Sequence, residues 1–298
     1  MEVATKKVRK AVIAAAGFGT RFLPQTKAMP KEMLPLVDKP IIQHIVEELA
    51  SAGIEDIVIV TGYHKRSIED HFDNLSAELR TNLKQSGKIE LLEETKKISS
   101  LANFIYIRQK GLLGNATPVL NAEHLIGDEP FLYVWADDFI EANPSKVSQM
   151  IELYNKTGSG VVSCIEINKD EDFDRYGVVK GEQVENGVLK MSLIVEKPGK
   201  NEAPSNLASV SGYLFTPAIF KYLHETKNFI EDGEEFKIQP AMTRMIEAGH
   251  DLYALKIKNG KFYDTGDKLE YLKTVVDFGL KDPSIKDGLL DHIKTVIQ

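Results

Sequence analysis

The chain has 298 residues, a formal net charge of −7 and 43% hydrophobic residues, which is an ordinary composition for a folded globular protein. An acidic chain without a dense Lys/Arg block is a poor nucleic-acid binder. The absence of both an apolar run of about 18 residues and a signal-like N-terminus argues against a membrane partner or export. Cys164 is the single cysteine, which excludes an internal disulfide and a cysteine-based zinc site, so we expect a cytoplasmic protein.

The first half of the chain alternates predicted strands and helices, the pattern typical of a parallel sheet. Apolar residues recur at helical spacing from Ile41 onward, and Gly53 closes that helix. The polar stretch 73–102 reads as charged helix and loop, with no chemistry assigned to it. The predicted strands are 11–16, 57–60, 104–108, 131–135 and 161–167, and the predicted helices are 41–52, 64–72, 118–126 and 145–157.

The second half is richer in strand. Two strand runs between 178 and 196 are separated by Glu-Asn-Gly, a hairpin-like turn. Further strands are predicted at 209–215, 252–257 and 261–264, and helices at 218–225, 236–248 and 268–280. No linker rich in Pro, Gly or Ser divides the halves. We therefore predict one α/β domain over 1–298: a Rossmann-like, doubly wound mixed sheet with a later β-rich subregion that carries a second substrate.

The loop after the first strand carries the clearest chemical signal. Gly17 and Gly19 can adopt positive φ and let a ligand approach the backbone. Arg21, Lys27 and Lys31 follow at once, and four prolines discourage ordinary helix. A stiff, cationic loop of this kind suits a polyphosphate. A solvated basic loop is the plainer alternative.

Two better-known glycine loops do not match this stretch. Phe22 stands where the dinucleotide fingerprint needs its third glycine, and the next strand ends at Val-Thr-Gly without the acid that binds ribose. No G-x-x-x-x-G-K-[ST] sequence occurs anywhere in the chain. The pattern therefore supports neither NAD binding nor P-loop chemistry.

Several polar groups follow predicted strand ends, where open α/β sheets bind their ligands. Gly17, Gln109 and Asp137 all lie at such ends. The paired acids Asp137 and Asp138 suit Mg²⁺, which prefers oxygen ligands, and strand alternation directs only one of them into a cleft. An acidic turn is the alternative.

A second polar pair ends a strand in the second half. Pro198 stops the strand directly after Glu196 and Lys197. A carboxylate can accept hydrogen bonds from sugar hydroxyls, and the neighbouring ammonium can pair with a phosphate. An exposed Glu–Lys pair is the alternative.

The segment Gly17–Pro40 resembles the N-terminal motif of the sugar-1-phosphate nucleotidylyltransferases. Within that family the pattern is most similar to that of bacterial members that join UTP and glucose-1-phosphate. Weaker motifs continue the resemblance, which runs in family order from about residue 9 to residue 275. They are V-D-K-P-I-I-Q, R-Q-K-G-L-L-G, G-D-E-P-F, A-D-D, Y-G-V-V, V-E-K-P, A-P-S-N-L-A and Y-D-T-G.

The resemblance implies a nucleotide-diphospho-sugar transferase fold with a nucleotide-binding half over about 9–167. A sugar-phosphate-binding half follows over about 168–275, and a C-terminal helical tail over 276–298. It also implies roles for particular residues. Catalytic roles are implied for Arg21, Lys31 and Lys197, and nucleotide contacts for Ala15, Ala16, Gly17, Gly19, Thr20, Gln109 and Gly114. Sugar-phosphate contacts are implied for Gly177, Glu196, Lys197 and Gly212, and Mg²⁺ ligation for Asp137 and Asp264.

The implied reaction transfers a uridylyl group from UTP to glucose-1-phosphate, giving UDP-glucose and pyrophosphate, by direct in-line displacement at the α-phosphorus with Mg²⁺ as cofactor. A homodimer or homotetramer is the implied assembly. Three departures from the family pattern leave alternatives open. They are Asn115–Pro118, Ser211–Tyr213 and Phe236–Pro240. The alternatives are a thymidylyltransferase, a uridylyltransferase for another sugar phosphate, and a catalytically silent nucleotide-binding regulatory relative.

Overall fold

The computed structural model describes residues 5–297, and its centre is a nine-stranded mixed sheet. The strands of the chain are β1 Lys10–Ala15, β2 Pro35–Leu36, β3 Lys39–Pro40, β4 Asp56–Thr61, β5 Asn103–Arg108, β6 Phe131–Trp135, β7 Asp138–Ala142, β8 Gly160–Glu166, β9 Gly177–Glu185, β10 Val188–Glu196, β11 Leu207–Phe215, β12 Leu252–Lys256 and β13 Gly260–Asp264. The order in the main sheet is β5-β4-β1-β6-β11-β8-β12-β10-β9.

Eleven helices lie among the described residues. They are α1 Ile41–Ser51, α2 Arg66–Phe72, α3 Ala77–Gln85, α4 Ile89–Ile98, α5 Thr117–Ile126, α6 Lys146–Thr157, α7 Asp170–Phe173, α8 Ile219–Lys227, α9 Gln239–Glu247, α10 Lys268–Lys281 and α11 Lys286–Val296. None of the helices described over 5–297 is long and apolar enough to cross a membrane.

The sheet has an apolar layer on each face, as the alternation along β1 illustrates. Ala11, Ile13 and Ala15 belong to one buried cluster, and Val12 belongs to the other. Helix α1 covers the first face with Ile42 and other residues at helical spacing, whereas α5 and α9 cover the second. The predicted doubly wound α/β architecture is therefore confirmed.

The first half of the sheet is parallel, and the second half is largely antiparallel. Strands β5, β4, β1 and β6 run parallel, so their carboxyl ends lie at one edge. Strand β11 lies between β6 and β8 and pairs antiparallel with both of them. Strand β9 also pairs antiparallel with β11. Strands from both predicted halves thus share one sheet.

Two elements differ from the sequence prediction. Strand β7 is not among the predicted strands; it leaves the main sheet and pairs with β13. The glycine- and proline-rich loop contains three short 3₁₀ turns, the last over Lys31–Met33. The stretch 73–102 forms α3 and α4, and the predicted start of the C-terminal tail, residue 276, lies inside α10.

Candidate functional site

A cleft of about 640 Å³ opens at the carboxyl ends of the parallel strands. Six of the predicted residues line it: Ala16, Gly17, Lys31, Gln109, Gly114 and Asp137. Trp135 lines the wall, and Phe18, Tyr63 and Leu113 contribute exposed apolar surface at the rim. Backbone glycines, an amide and a cation beside apolar surface suit an anionic ligand that carries a ring.

Lys31 is placed by the last 3₁₀ turn of the loop. Its Nζ donates a hydrogen bond to Asp137 Oδ2 at 2.5 Å. Burial alone would lower the pKa of Lys31, but the carboxylate of Asp137 outweighs that effect and raises it above its ordinary value. A Cβ added to Gly17 would lie 3.8 Å from this ammonium. The half-buried ammonium of Lys31 therefore lies between the glycine loop and the Asp137 carboxylate.

A buried ion pair supports the same loop. The carboxylate of Glu32 accepts two hydrogen bonds from Lys65 Nζ, at 2.6 and 2.7 Å, and only 1% of Glu32 is exposed. Burial raises the pKa of Glu32 and lowers that of Lys65, and their mutual attraction opposes both shifts. The pair ties the turn that carries Lys31 to the loop after β4. Sequence reasoning missed it, because its partners lie 33 residues apart.

Asp264 is not among the residues that line the cleft, but it lies near Asp137, which does. Its position follows from the antiparallel pairing of β13 with β7, in a register that sets it opposite Asp138. Its Oδ2 accepts hydrogen bonds from Arg175 Nη2 at 2.6 Å and from the Tyr176 hydroxyl at 3.0 Å. The backbone N–H of Gly266 donates to its Oδ1 at 3.1 Å. Arg175 was not predicted, since its partner lies 89 residues further along the chain.

The two predicted metal ligands converge on Gly266. A Cβ at that glycine would lie 2.9 Å from Asp137 Oδ2 and 3.2 Å from Asp264 Oδ1, so the missing side chain leaves a space between the carboxylates. Within residues 5–297 no cluster of three or more His, Cys, Asp or Glu side chains could hold a metal. Two carboxylates that approach each other beside a glycine fit Mg²⁺, which prefers oxygen ligands.

Asp138 does not share this position, although it follows Asp137 directly. Its Oδ1 is buried and has no hydrogen-bond partner in the described part of the chain. Burial, together with the nearby Asp137 and Asp264, holds the pKa of Asp138 well above its ordinary value. Only Asp137 of the pair therefore lines the cleft.

Arg21 lies beside the space between the carboxylates. Its Nη1 donates a hydrogen bond to the carbonyl oxygen of Gly266 at 3.2 Å. A Cβ at Gly266 would lie 3.8 Å from the same nitrogen. The positive charge of Arg21 thus lies next to the space between Asp137 and Asp264.

Glu196 and Gly177 form a second group, in the hairpin of β9 and β10. The two residues pair across the hairpin, and a Cβ at Gly177 would lie 3.0 Å from Glu196 Oε2. Burial raises the pKa of Glu196, and Lys197 and Lys237 oppose that shift. Lys197 is exposed at a φ of 49° and forms no ion pair within the described residues. Because Tyr176 precedes Gly177, the hydroxyl contact of Tyr176 connects this group to Asp264.

Four predicted residues have evident structural roles. The side chain of Ala15 is fully buried in the core, and Thr20 begins the first 3₁₀ turn. Gly19 has a φ of 66°, and its carbonyl oxygen accepts a hydrogen bond from Thr26. Gly212 has a φ of 119°, and a Cβ there would lie 2.5 Å from the carbonyl oxygen of Tyr133. Contacts of the first three with a nucleotide, and of Gly212 with a sugar, stay predictions.

Two of the three departures from the family pattern contact each other. Asn115 Oδ1 accepts a hydrogen bond from the backbone N–H of Ile238 at 2.8 Å, and Ala116 N–H donates to the carbonyl oxygen of Phe236 at 3.0 Å. Gly114 lies against the same segment, since a Cβ there would be 2.3 Å from Phe236 O. Hydrogen bonds therefore join the two departures directly, and Asn115 and Pro118 of the first line the cleft.

Comparison with known proteins places this architecture in a family. The family model described as nucleotidyl transferase matches residues 10–278. The chain is 46% identical over 289 residues to UTP–glucose-1-phosphate uridylyltransferase 2 of Staphylococcus saprophyticus, covering 97% of this chain and 98% of that protein. It is also 46% identical over 292 residues to UTP–glucose-1-phosphate uridylyltransferase of Bacillus subtilis, covering 98% of each.

Solved structures agree with the sequence relatives. A UDP-glucose pyrophosphorylase complexed with UDP-glucose superposes with a TM-score of 0.81 at 40% identity, covering 93% of this chain and all of that one. The UTP-bound enzyme of Acinetobacter baumannii superposes with a TM-score of 0.87 at 34% identity, covering 96% of this chain and 99% of that one. The fold, the ordered motifs and these relatives together lead to one conclusion: the chain belongs to the nucleotidyl transferase family.

Proposed function

We propose that the protein transfers a uridylyl group from UTP to glucose-1-phosphate, producing UDP-glucose and pyrophosphate. The observation that carries this proposal is the cleft in which Lys31, Asp137 and Gln109 meet the glycine loop. The names of the full-length relatives indicate the same two substrates.

The reaction needs little more than positioning and charge neutralisation. A phosphate oxygen of glucose-1-phosphate attacks the α-phosphorus of UTP, a new P–O bond forms, and the bond to the β-phosphate bridging oxygen breaks. That phosphate is already largely dianionic at neutral pH, because its second pKa is about 6. No general base is then required. The main barrier is repulsion between two anionic substrates, which fixed cations reduce.

Three cations divide this task in the proposal, and one of them, Lys31, lines the cleft. Lys31 and Arg21 hold the triphosphate and stabilise the negative charge of the departing pyrophosphate. Lys197, whose side chain is exposed at the end of β10, pairs with the phosphate of the sugar. Gln109 presents an amide, which can donate to and accept from a uracil edge at the same time. Gly17 and Gly114 let the nucleotide approach the backbone.

Asp137 and Asp264 are the residues that would hold Mg²⁺, because their oxygens border the space left by Gly266. A bound Mg²⁺ would neutralise charge on the phosphates that it contacts. Lys31 already offsets the charge of Asp137, and Arg175 that of Asp264. The homodimer or homotetramer and the cytoplasmic location remain predictions from the sequence.

Pyrophosphate release tests the proposal directly. The protein is assayed with Mg²⁺, crossing UTP and dTTP against glucose-1-phosphate and galactose-1-phosphate. Fast release with UTP and glucose-1-phosphate alone supports the proposal. Fast release with another pair would keep the chemistry and change the substrates. Silence in all four assays, with UTP or UDP-glucose still bound, would favour the regulatory alternative.

A further inference from the structure

Glu196 does not stand alone in the β9–β10 hairpin, because the first residue of α9 holds it. Gln239 Nε2 donates a hydrogen bond to Glu196 Oε2 at 2.6 Å. Gln239 is 6% exposed and Glu196 is half-buried, so this contact is partly shielded from water. A hydrogen bond to a charged carboxylate in such surroundings is stronger than one between neutral groups.

The other end of the same amide is left without a partner. Gln239 Oε1 is buried and accepts no hydrogen bond from the described residues. An unsatisfied buried carbonyl destabilises a fold, and an apolar side chain of similar size would avoid that penalty. A glutamine at this position is therefore a poor choice for packing alone, and its useful end is the Nε2 that contacts Glu196.

The start of α9 is in turn fixed from the nucleotide side. Asn115, which lines the main cleft, accepts a hydrogen bond at its Oδ1 from the N–H of Ile238, the residue before Gln239. The Tyr133 hydroxyl donates to the carbonyl oxygen of Asn115 at 2.5 Å. A continuous series of contacts thus runs from the nucleotide cleft through Asn115 and Gln239 to Glu196.

We propose that Gln239 is a positioning residue that orients the Glu196 carboxylate toward the sugar, and that Asn115 holds Gln239 in place from the nucleotide side. This inference rests on the proposed function, since it takes Glu196 as the acceptor for sugar hydroxyls. Gln239 holds one carboxylate oxygen of Glu196, so the other oxygen can accept a hydrogen bond from a sugar hydroxyl and fix the position of that group. The departures at 115–118 and 236–240 then act together on the sugar phosphate.

Three variants test the role of Gln239 in the full chain with Mg²⁺. Gln239→Met keeps the length but removes the donor, and Gln239→Glu replaces the donor with a second carboxylate. Gln183→Met is the matched control, because Gln183 is exposed on β9. The readouts are KM for glucose-1-phosphate, KM for UTP and kcat/KM for glucose-1-phosphate from pH 5.5 to 8.5.

Loss of the donor in Gln239→Met raises KM for glucose-1-phosphate roughly tenfold, as expected for a hydrogen bond to a charged group. KM for UTP changes by less than about twofold on the same scale. The acid limb of the pH profile moves to higher pH, because Glu196 loses a group that favours its ionised form. Gln239→Glu weakens sugar binding most at high pH. Binding recovers as the pH falls, because the new carboxylate and that of Glu196 can then share one proton. Gln183→Met behaves like the unchanged protein.

Asn115 is tested by Asn115→Asp, which keeps an acceptor for the N–H of Ile238, and Asn115→Leu, which removes it. We expect the leucine variant to show the raised KM for glucose-1-phosphate and the aspartate variant to restore most of the loss. Loss of activity in the unchanged protein would overturn the proposed function itself. Normal activity there, with an unaltered sugar KM and pH profile in both Gln239 variants, would overturn only the positioning role.

Discussion

Among the single residues of the site, Lys31 combines the most constraints. Its ammonium lies beside Gly17, forms an ion pair with Asp137 and is carried by a turn that the buried Glu32–Lys65 pair supports. A bound triphosphate would compete with Asp137 for the same positive charge. Lys31 is therefore the residue whose removal should affect the reaction most directly.

We expect Lys31→Ala to reduce kcat by on the order of 10²–10³, the usual effect of removing one charge-stabilising donor. Steady-state pyrophosphate release measures it. Lys190→Ala is the matched control, because Lys190 is not among the residues that line the cleft and forms an exposed ion pair with Asp251 at 2.7 Å. Such exposed pairs contribute little. Near-normal turnover of Lys31→Ala would show that the catalytic assignment is wrong.

His44 gives a pH dependence to stability that is independent of catalysis. Burial lowers its pKa to about 4 from the ordinary value of 6.5, and its ring stacks on Phe139. In the unfolded chain it gains a proton near pH 6.5, so its contribution is fully present above that pH and is lost as the pH falls toward 4. The shift corresponds to about 3 kcal/mol.

Urea unfolding at pH 7 and pH 4.5 measures this contribution. We expect His44→Phe to lose less stability between the two pH values than the unchanged protein, because phenylalanine cannot gain a proton. Equal losses in both proteins would mean that His44 is protonated within the folded state. His250→Phe is the control, since this exposed histidine has no comparable burial.

At the residue scale, the sequence is informative where the signal is local. Gly17 and Asp137 closely follow strand ends and Lys31 lies in the loop after β1, and the structure brings all three to one cleft. The contacts of Arg175 with Asp264 and of Gln239 with Glu196 join residues 89 and 43 positions apart. A local sequence pattern does not predict such pairs, because they depend on how the strands and helices pack.

At the scale of elements, the parallel strands and the longer helices followed from periodicity, but β7 did not. It begins three residues after the end of β6, and its partner β13 starts more than 100 residues later. A strand that pairs outside the main sheet is difficult to predict, because its pairing depends on a distant segment. The same pairing places Asp264 near Asp137, so the unpredicted strand also helps to bring the two acids together.

The loop over residues 111–116 offers a direct test of packing between elements. Gly111 and Gly114 both have positive φ, at 100° and 125°. A Cβ at Gly111 meets nothing within 4 Å, whereas one at Gly114 would lie 2.3 Å from the carbonyl oxygen of Phe236. A side chain at either position would strain the backbone, but only one at Gly114 would also collide with the segment before α9. Comparing the two positions therefore separates these two effects.

We expect Gly111→Ala to lower the free energy of unfolding by about 1 kcal/mol, from strain alone. Gly114→Ala should lower it by about 3 kcal/mol or more and raise KM for UTP, because the Phe236 segment must move away from the cleft. Urea unfolding and steady-state kinetics measure both effects. Equal destabilisation by the two variants would indicate that Gly114 is needed only for its positive φ and not for its close approach to Phe236.

For the whole molecule, the shared sheet brings the predicted halves together at the two acids. Asp137 follows β6 of the first half, and Asp264 ends β13 of the second, where Arg175 and Tyr176 hold it. Thr265 also donates two hydrogen bonds, from its backbone and its hydroxyl, to the carbonyl oxygen of Asp137. A cation between the carboxylates would therefore join the two halves as well as bind phosphate.

Two measurements follow from this arrangement. EDTA should abolish pyrophosphate release, and added Mg²⁺ should restore it. With saturating UTP, Mg²⁺ should also raise the thermal unfolding temperature, since a ligand that binds only the folded chain stabilises it by mass action. Asp264→Asn should raise the Mg²⁺ concentration needed for half-maximal activity and reduce kcat by on the order of 10²–10³.

Asp267→Asn is the matched control for that variant. Asp267 lies three residues away and caps α10 by accepting from the N–H groups of Leu269 and Glu270, a role that asparagine performs equally well. It should therefore keep the Mg²⁺ requirement of the unchanged protein. If Asp264→Asn retained that requirement as well, the second carboxylate would serve to fix Arg175 and Tyr176, and the cation would be held from the Asp137 side alone.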